Sequence, residues 1–220
     1  MIKIIKDDNK YFFLDKNIRI STPNGNLLNT DNELHANLLL NEMTNKKKLN
    51  DPFSIISLTF FSCDLSKDDR KRIKIQILDV LKFDTVLYRC FSESDLKKLM
   101  EKKWDHLIDE FDFLFDTNLY LLKTIIEKNN LKKKKFEIYL DNLDNYFLTV
   151  FFKLSTLTKS TILSYFFIIG KIDDIELYKL SNIEYTYQQK RWGVVQEQKK
   201  VNQNTLKTIK NISFFFKNIN

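Results

Sequence analysis

The chain has few of the residues that mark specialised folds. Its 220 residues include three glycines, two prolines, two cysteines, two histidines and a single alanine. Arg is scarce beside Lys, 5 against 31. The depleted types are those with GC-rich codons, so an AT-rich genome accounts for the skew without appeal to function. Cys63 and Cys90 form no CxxC pair, and His35 and His106 stand at no spacing that would complete a zinc site with them. No metal site is expected, and the thiols read as core residues in a reducing compartment. The most apolar stretch, Phe147 to Gly170, is interrupted by Lys153 and Lys159; its longest uncharged part, Ser160 to Gly170, is 11 residues. A spanning helix needs about 18 or more. The segment is therefore expected to be a buried core helix, with no membrane partner. The opening MIKIIKDDNKYFFL lacks the apolar run of a signal peptide and carries acidic residues that transit peptides avoid. A cytoplasmic protein is the expectation.

Catalytic signatures are also missing. There is no GxxxxGK[ST] loop, GxGxxG turn, GxSxG elbow or HExxH. Carboxylates occur as neighbours (Asp68 and Asp69, Asp109 and Glu110, Asp173 and Asp174), but adjacent helical residues do not face one another. The expectation is a protein with no catalytic residues and no cofactor.

What is present is ordinary for a globular chain: 43% hydrophobic and 30% charged residues argue against disorder. A net charge of +7 raises the alternative of a basic helical nucleic-acid-binding protein. The charge is mostly Lys interleaved with 29 acidic residues, and the Arg patches that grip phosphates and bases are missing. The one cluster, Lys132 to Lys135, reads as a solvated loop or helix end.

Along the chain, Ile2–Ile5, Tyr11–Leu14 and Ile18–Ile20 are short β-prone runs, with a hairpin break at Asp15-Lys16-Asn17 and a strong turn at Ser21 to Gly25, where Pro23 presets φ and Gly25 tolerates φ > 0. Helices then dominate. One is capped by Thr30 or Asp31 and runs through Met43 with Leu34, Leu38 and Leu39 on a face. A second starts at Pro52. A third spans Lys67 to Leu81. Thr85 to Arg89 reads as a short strand. Ser92 and Asp95 resemble a capping box, followed by a helical stripe of Leu96, Leu99, Met100, Trp104, Leu107, Ile108, Phe111, Leu114 and Phe115. Further helices are expected near Leu119–Lys128, Phe136–Phe152, Thr158–Ile169, Asp173–Lys190 and Asn204–Lys217, with Gly170 as a left-handed helix terminator. The fold class is α+β: a small β-rich N-terminal domain with hairpin and flanking helix, residues 1–64, followed by a larger all-helical domain, residues 65–220.

The segment IEYTYQQKRWG, Ile183 to Gly193, stands out. At 100° per residue, Leu177, Leu180, Tyr187 and Arg191 fall on one face of the expected helix, with Glu184 in the same stripe. A carboxylate among apolar neighbours must find a partner, reach water or protonate. Gln188 and Arg191 are in range. One reading is a half-exposed Glu184 beside an intramolecular Arg. The other is a charged contact for a partner protein, flanked by Tyr187 and Trp192 as interface anchors.

Several motifs, in order, resemble one family. YFFLDKNIRISTPNGNLL is similar to a family opening of β-hairpin and TP-x-G turn, here Thr22, Pro23 and Gly25. The helix ending Asn41-Glu42-Met43, the DTVLYRC segment with Tyr88 and Arg89, the Trp104-Asp105 pair, LTKSTILSYFFIIGKID and LSNIEYTYQQKRWG follow at comparable spacings. Together they resemble the F₁-ATPase assembly chaperones of the ATP-twelve family, found in alphaproteobacteria and mitochondria. The chain departs from that pattern in lacking a proline after Asp105, in the residues after Pro52, and in the segment after Gly193, where the family is acidic and this chain has one glutamate and two lysines. The resemblance implies a chaperone without ATPase activity, monomeric when free, that binds the ATP synthase α subunit until the β subunit displaces it. It implies partner-binding roles for Glu184, Tyr187, Gln188, Trp192 and Gly193. Pro23, Gly25, Tyr88, Arg89, Trp104 and Asp105 would be structural positions, with Arg89 a candidate to neutralise Glu184.

Overall fold

A computed structural model describes residues 2–44, 51–89, 92–124, 126–193 and 196–219. Cys90 lies outside the described residues. The fold is α+β, with a small antiparallel sheet followed by helices. By contacts the chain forms two units, Met1–Arg70 with Leu143–Val150 and Lys210–Asn220, and Lys71–Asn142 with Phe151–Ile209.

In the first unit, strands β1 (Lys3–Asp7) and β2 (Lys10–Asp15) pair antiparallel, with Ile4 opposite Phe13. Strands β3 (Ile18–Arg19) and β4 (Asn29–Thr30) pair with β2 at different points along it. Both hairpin turns have two residues at positive φ, Asp8 and Asn9, then Lys16 and Asn17. That backbone matches the right-handed twist of the flanking strands, and Asp and Asn tolerate it better than most residues. Thr22 and Gly25 close the next turn through a 2.9 Å backbone hydrogen bond, with Gly25 at φ 87°.

Helix α1 (Glu33–Thr44) is capped by neither Thr30 nor Asp31 but by Asn32, whose side chain accepts from the His35 amide at 3.0 Å. Its buried face keeps Leu39 of the expected leucine face but not Leu34. His35, Ala36, Leu39 and Glu42 are buried, while Leu34 is 58% exposed. Two polar residues occupy core positions because each has a buried partner. The His35 ring bonds the Thr59 hydroxyl at 2.9 Å, and the Glu42 carboxylate accepts from the Ile56 amide at 2.7 Å. That amide is one of the orphan donors at the start of helix α2 (Ile55–Asp64). Ser54 caps α2, so the helix starts after Pro52 rather than at it. The His35 ring also meets the edges of Tyr146 and Phe215, at 5.9 and 5.2 Å. Cys63 is half-buried, with its thiol 3.5 Å from the Asn29 carbonyl.

In sequence, helix α3 (Lys67–Lys82) leads into the second unit. Thr85–Leu87 forms a single 3-10 turn and not a strand; only Tyr88 makes a bridge, to Leu122. Helix α4 (Ser94–Phe115) buries Leu96, Met100, Trp104, Leu107, Ile108, Phe111 and Phe115, while Leu99 and Leu114 reach the surface. Its cap position is Glu93, without a side-chain capping bond, one residue after the expected Ser92. Residues 117–124 and 126–133 form no helix. The Asn129 side chain pairs with Tyr120 instead, accepting from its amide at 2.7 Å and donating to its carbonyl at 3.1 Å. The expected helix over Phe136–Phe152 is two, α5 (Lys134–Asn142) and α6 (Asn145–Thr158). The apolar stretch also divides: α6 ends at Thr158, Lys159 takes φ 54°, and α7 (Thr161–Ile168) begins under a Ser160 cap. Gly170 follows α7 at φ 76°. Helices α8 (Asp174–Ser181), α9 (Ile183–Trp192) and α10 (Gln196–Ile219) complete the chain. No helix among the described residues is long and apolar enough to cross a membrane.

Candidate functional site

The segments singled out by sequence meet in the second unit through buried polar contacts. Asp84 is fully buried. Its carboxylate accepts from the amides of Val86, at 3.1 Å, and Ile162, at 3.0 Å. Burial pushes its pKa up to about 6, against the pull of its hydrogen-bond donors. Thr85 donates its amide and hydroxyl to the Lys159 carbonyl, at 3.0 and 2.9 Å. Residues 84–88 are thereby fixed to the turn between α6 and α7.

Arg89 continues the network. One of its nitrogens donates to the carbonyls of Val86, at 2.5 Å, and Tyr88, at 2.9 Å. The other is ion-paired with Asp105. The guanidinium lies 5.4 Å from the Trp104 ring centre. Trp104 in turn donates its indole N–H to the Leu180 carbonyl at 3.1 Å. Thus Tyr88, Arg89, Trp104 and Asp105 form one connected structure. Arg89 pairs with Asp105, which overturns the expectation that it neutralises Glu184.

Near Leu180 the expected continuous helix breaks. Asn182 leaves helical geometry at φ −123°, ψ 23°, and its side chain donates to the Tyr178 carbonyl at 2.9 Å. The break resets the rotation of α9 relative to α8. Leu177 and Leu180 are buried, but Tyr187 is only half-buried and Arg191 is exposed. The single stripe expected across them does not exist. Glu184 is exposed in the first turn of α9, where a carboxylate complements the helix dipole, and it accepts from Gln188 at 3.2 Å. Arg191 pairs with Glu93 at 2.5 Å rather than with Glu184. Trp192 is 67% exposed. Gly193 ends the helix at φ 87°, ψ 175°, backbone space open essentially to glycine alone.

These elements enclose a cleft of about 550 Å³. Tyr88 and Trp104 line it, with Asn182, Glu184, Tyr185 and Gln188. Burial, then the charge of Glu127, raises the Tyr88 pKa above the usual phenol value. Of the residues named from sequence, Tyr88, Trp104, Glu184 and Gln188 meet in this cleft. Arg89 and Asp105 buttress it. Tyr187 lies between Glu184 and Gln188 on α9 but does not line the cleft, Trp192 and Gly193 lie at the end of the helix, and Pro23 and Gly25 belong to the first unit. Sequence reasoning missed Asp84 and Asn182 as positioning residues. Asp84 opens the quoted DTVLYRC segment, but nothing local shows that its acceptor bonds reach Ile162. No group of three or more His, Cys, Asp or Glu side chains among the described residues is placed to hold a metal.

A family model, the ATP12 chaperone protein, matches residues 3–112, half of the chain. The chain belongs to the ATP12 chaperone family. The crystal structure of Atp12 from Paracoccus denitrificans superposes at TM-score 0.86 with 22% identity, covering 100% of this chain and 96% of that one. A point mutant of the same Paracoccus protein matches at the same score and identity, over 95% of its length. The Atu1473 protein of Agrobacterium tumefaciens, a putative chaperone, matches at 0.86 with 16% identity, over 84% of its length. No curated protein matches by sequence. At these identities the solved structures establish that the ATP12 fold extends over the whole chain, beyond the residues the family model matches.

Proposed function

We propose that this protein is an assembly chaperone of the F-type ATP synthase that holds the free α subunit and is displaced from it by the β subunit. Membership of the ATP12 chaperone family carries the reading. The α subunit would otherwise self-associate through the apolar surface that later meets β. A larger, better-matched interface with β would release the chaperone by competition, so the chaperone itself needs no hydrolysis and no cofactor. The reading places it in the bacterial cytoplasm as a monomer when free.

The contact we assign is α9. Glu184 and Gln188 form a hydrogen-bonded pair on the cleft, and the 67%-exposed Trp192 lies beyond them on the same helix. An exposed indole next to a polar pair suits an interface anchor, with Tyr187 beside it and Gly193 ending the helix behind it. Glu184 is exposed, so Glu184→Lys is expected to cost the fold only about 1 kcal/mol, through the lost helix-dipole and Gln188 contacts. It is expected to weaken α-subunit binding by at least about tenfold.

The test is co-expression with the α subunit of the same organism, followed by size-exclusion chromatography. Soluble α eluting with the chaperone, and released on adding β, is the expected result. Aggregation of α with no co-elution would sink the function. Normal protection of α by Glu184→Lys would remove the site assignment and leave the function standing.

A further inference from the structure

A second cleft, of about 700 Å³, is formed by α8, α9 and α10. Its polar lining includes Lys199 and Lys200 with the side-chain amides of Gln189, Gln196, Asn202 and Gln203. No carboxylate lines it. Neither lysine is ion-paired among the described residues, whereas Arg89, Lys171 and Arg191 of the same unit each hold a carboxylate. Two uncompensated ammonium groups in one groove favour an anionic occupant. The amides add a second preference: Gln196 and Gln203 each offer a donor and an acceptor, as a peptide group does, while the Gln189 nitrogen also donates to Tyr185 and the Asn202 oxygen also accepts from Gln198. Phosphates are gripped best by the planar fork of Arg, and no Arg lines this groove.

We propose that the α8–α9–α10 groove docks an extended acidic segment of the client polypeptide, its carboxylates on Lys199 and Lys200 and its backbone on the amides. That the client is the α subunit rests on the function proposed above; the chemistry of the groove does not. Gln188 lines the Glu184 cleft and Gln189 this one, so the two clefts flank α9. They differ in charge: Glu184 is offset by Lys159 in the first, while the second holds lysines alone.

The probe is a short fluorescent peptide of alternating Glu and Ser, titrated with the full chain and read by anisotropy. The acidic peptide binds, and a Lys-Ser peptide of equal length does not. The Lys199→Glu, Lys200→Glu double variant weakens binding by roughly tenfold, and the milder Lys199→Gln, Lys200→Gln pair by roughly threefold. Unchanged affinity in either double variant overturns the proposal. So does displacement of the peptide by inorganic phosphate, which would make the groove a simple anion site. An unlabelled single-stranded oligonucleotide that displaces the peptide more effectively than unlabelled peptide does would make it a nucleic-acid site, and also overturns it. Co-elution with the α subunit separates the two readings. If wild type and double variants retain α equally, the groove proposal falls and the chaperone function stands. If no form retains α while acidic peptide still binds through the lysines, the chaperone function falls and the groove stands.

Discussion

The buried histidine of the first unit makes its stability depend on pH in a way the geometry specifies. Thr59 has one hydroxyl proton and gives it to the Ile55 carbonyl at 2.7 Å. Its oxygen must then accept from His35, which puts the imidazole proton on Nε2. Nδ1 is left as a bare lone pair with no hydrogen-bond partner among the described residues. Protonating it would bury a charge and an unsatisfied N–H at once. Burial accordingly lowers the His35 pKa from 6.5 to about 4. Because the folded pKa lies below the unfolded one, the unfolded chain binds the proton first. The stability is complete above about pH 6.5 and is lost as pH falls towards about 4. The full loss is about 3 kcal/mol, of which about 2 kcal/mol is gone by pH 5. His35→Leu keeps similar bulk and removes the titration. The assay is hydrogen exchange of the α1 and α2 amides across this pH range, comparing wild type with variant. Every other ionisable group is common to both proteins, so the difference between the two isolates His35. The variant should lose much less protection on acidification. Parallel curves for the two proteins would refute the reasoning.

Asp84 in the second unit has the opposite sign. Its folded pKa of about 6 lies above the unfolded value near 3.8, so its contribution is largest below about 3.8 and is lost as pH rises through about 6. Asp84→Asn should remove that slope in denaturation followed by Trp104 and Trp192, both in this unit. Asp84→Ala should destabilise it by about 2–4 kcal/mol by orphaning the Val86 and Ile162 amides. Asp105→Ala should cost about 2–3 kcal/mol, because Arg89 is almost wholly buried and keeps only carbonyl partners. A double-mutant cycle should find Arg89 coupled to Asp105 and uncoupled from Glu184. Gly193→Ala should cost about 1–3 kcal/mol through backbone strain alone, since an added Cβ meets nothing within 4 Å; a thermal melt matching wild type would contradict this.

Much of the architecture was legible from local patterns. The hairpin, the α4 stripe and the Gly170 terminator all follow from residues close together in the chain, where periodicity and turn chemistry act. The errors share one cause. Leu34 reads as a core residue and lies outside, because hydropathy cannot register that His35 and Glu42 have buried partners in α2. The helix expected over Leu119–Lys128 does not form among the described residues, where Asn129 offers Tyr120 the backbone bonds a helix would have supplied. Thr85–Arg89 looks β-prone, yet Asp84 and the Lys159 carbonyl hold its start in a 3-10 turn.

The candidate site divides the same way. Its residue types were readable in order along the chain: Tyr88-Arg89, Trp104-Asp105, then Glu184, Tyr187 and Gln188. Their relations were not. The helical wheel that joined Glu184 to Leu177 and Arg191 assumed a continuous helix, and one side-chain-to-backbone bond at Asn182 undid it. The alternation of apolar and polar residues along the chain was enough for the fold class and most helices, because burial of an amphipathic face depends on near neighbours. Which carboxylates pair with a cation and which stay exposed was set by the packing of distant elements. Arg89 takes Asp105, Arg191 takes Glu93, and Glu184 is left facing water, because ion pairs form between groups whose distance the whole fold sets.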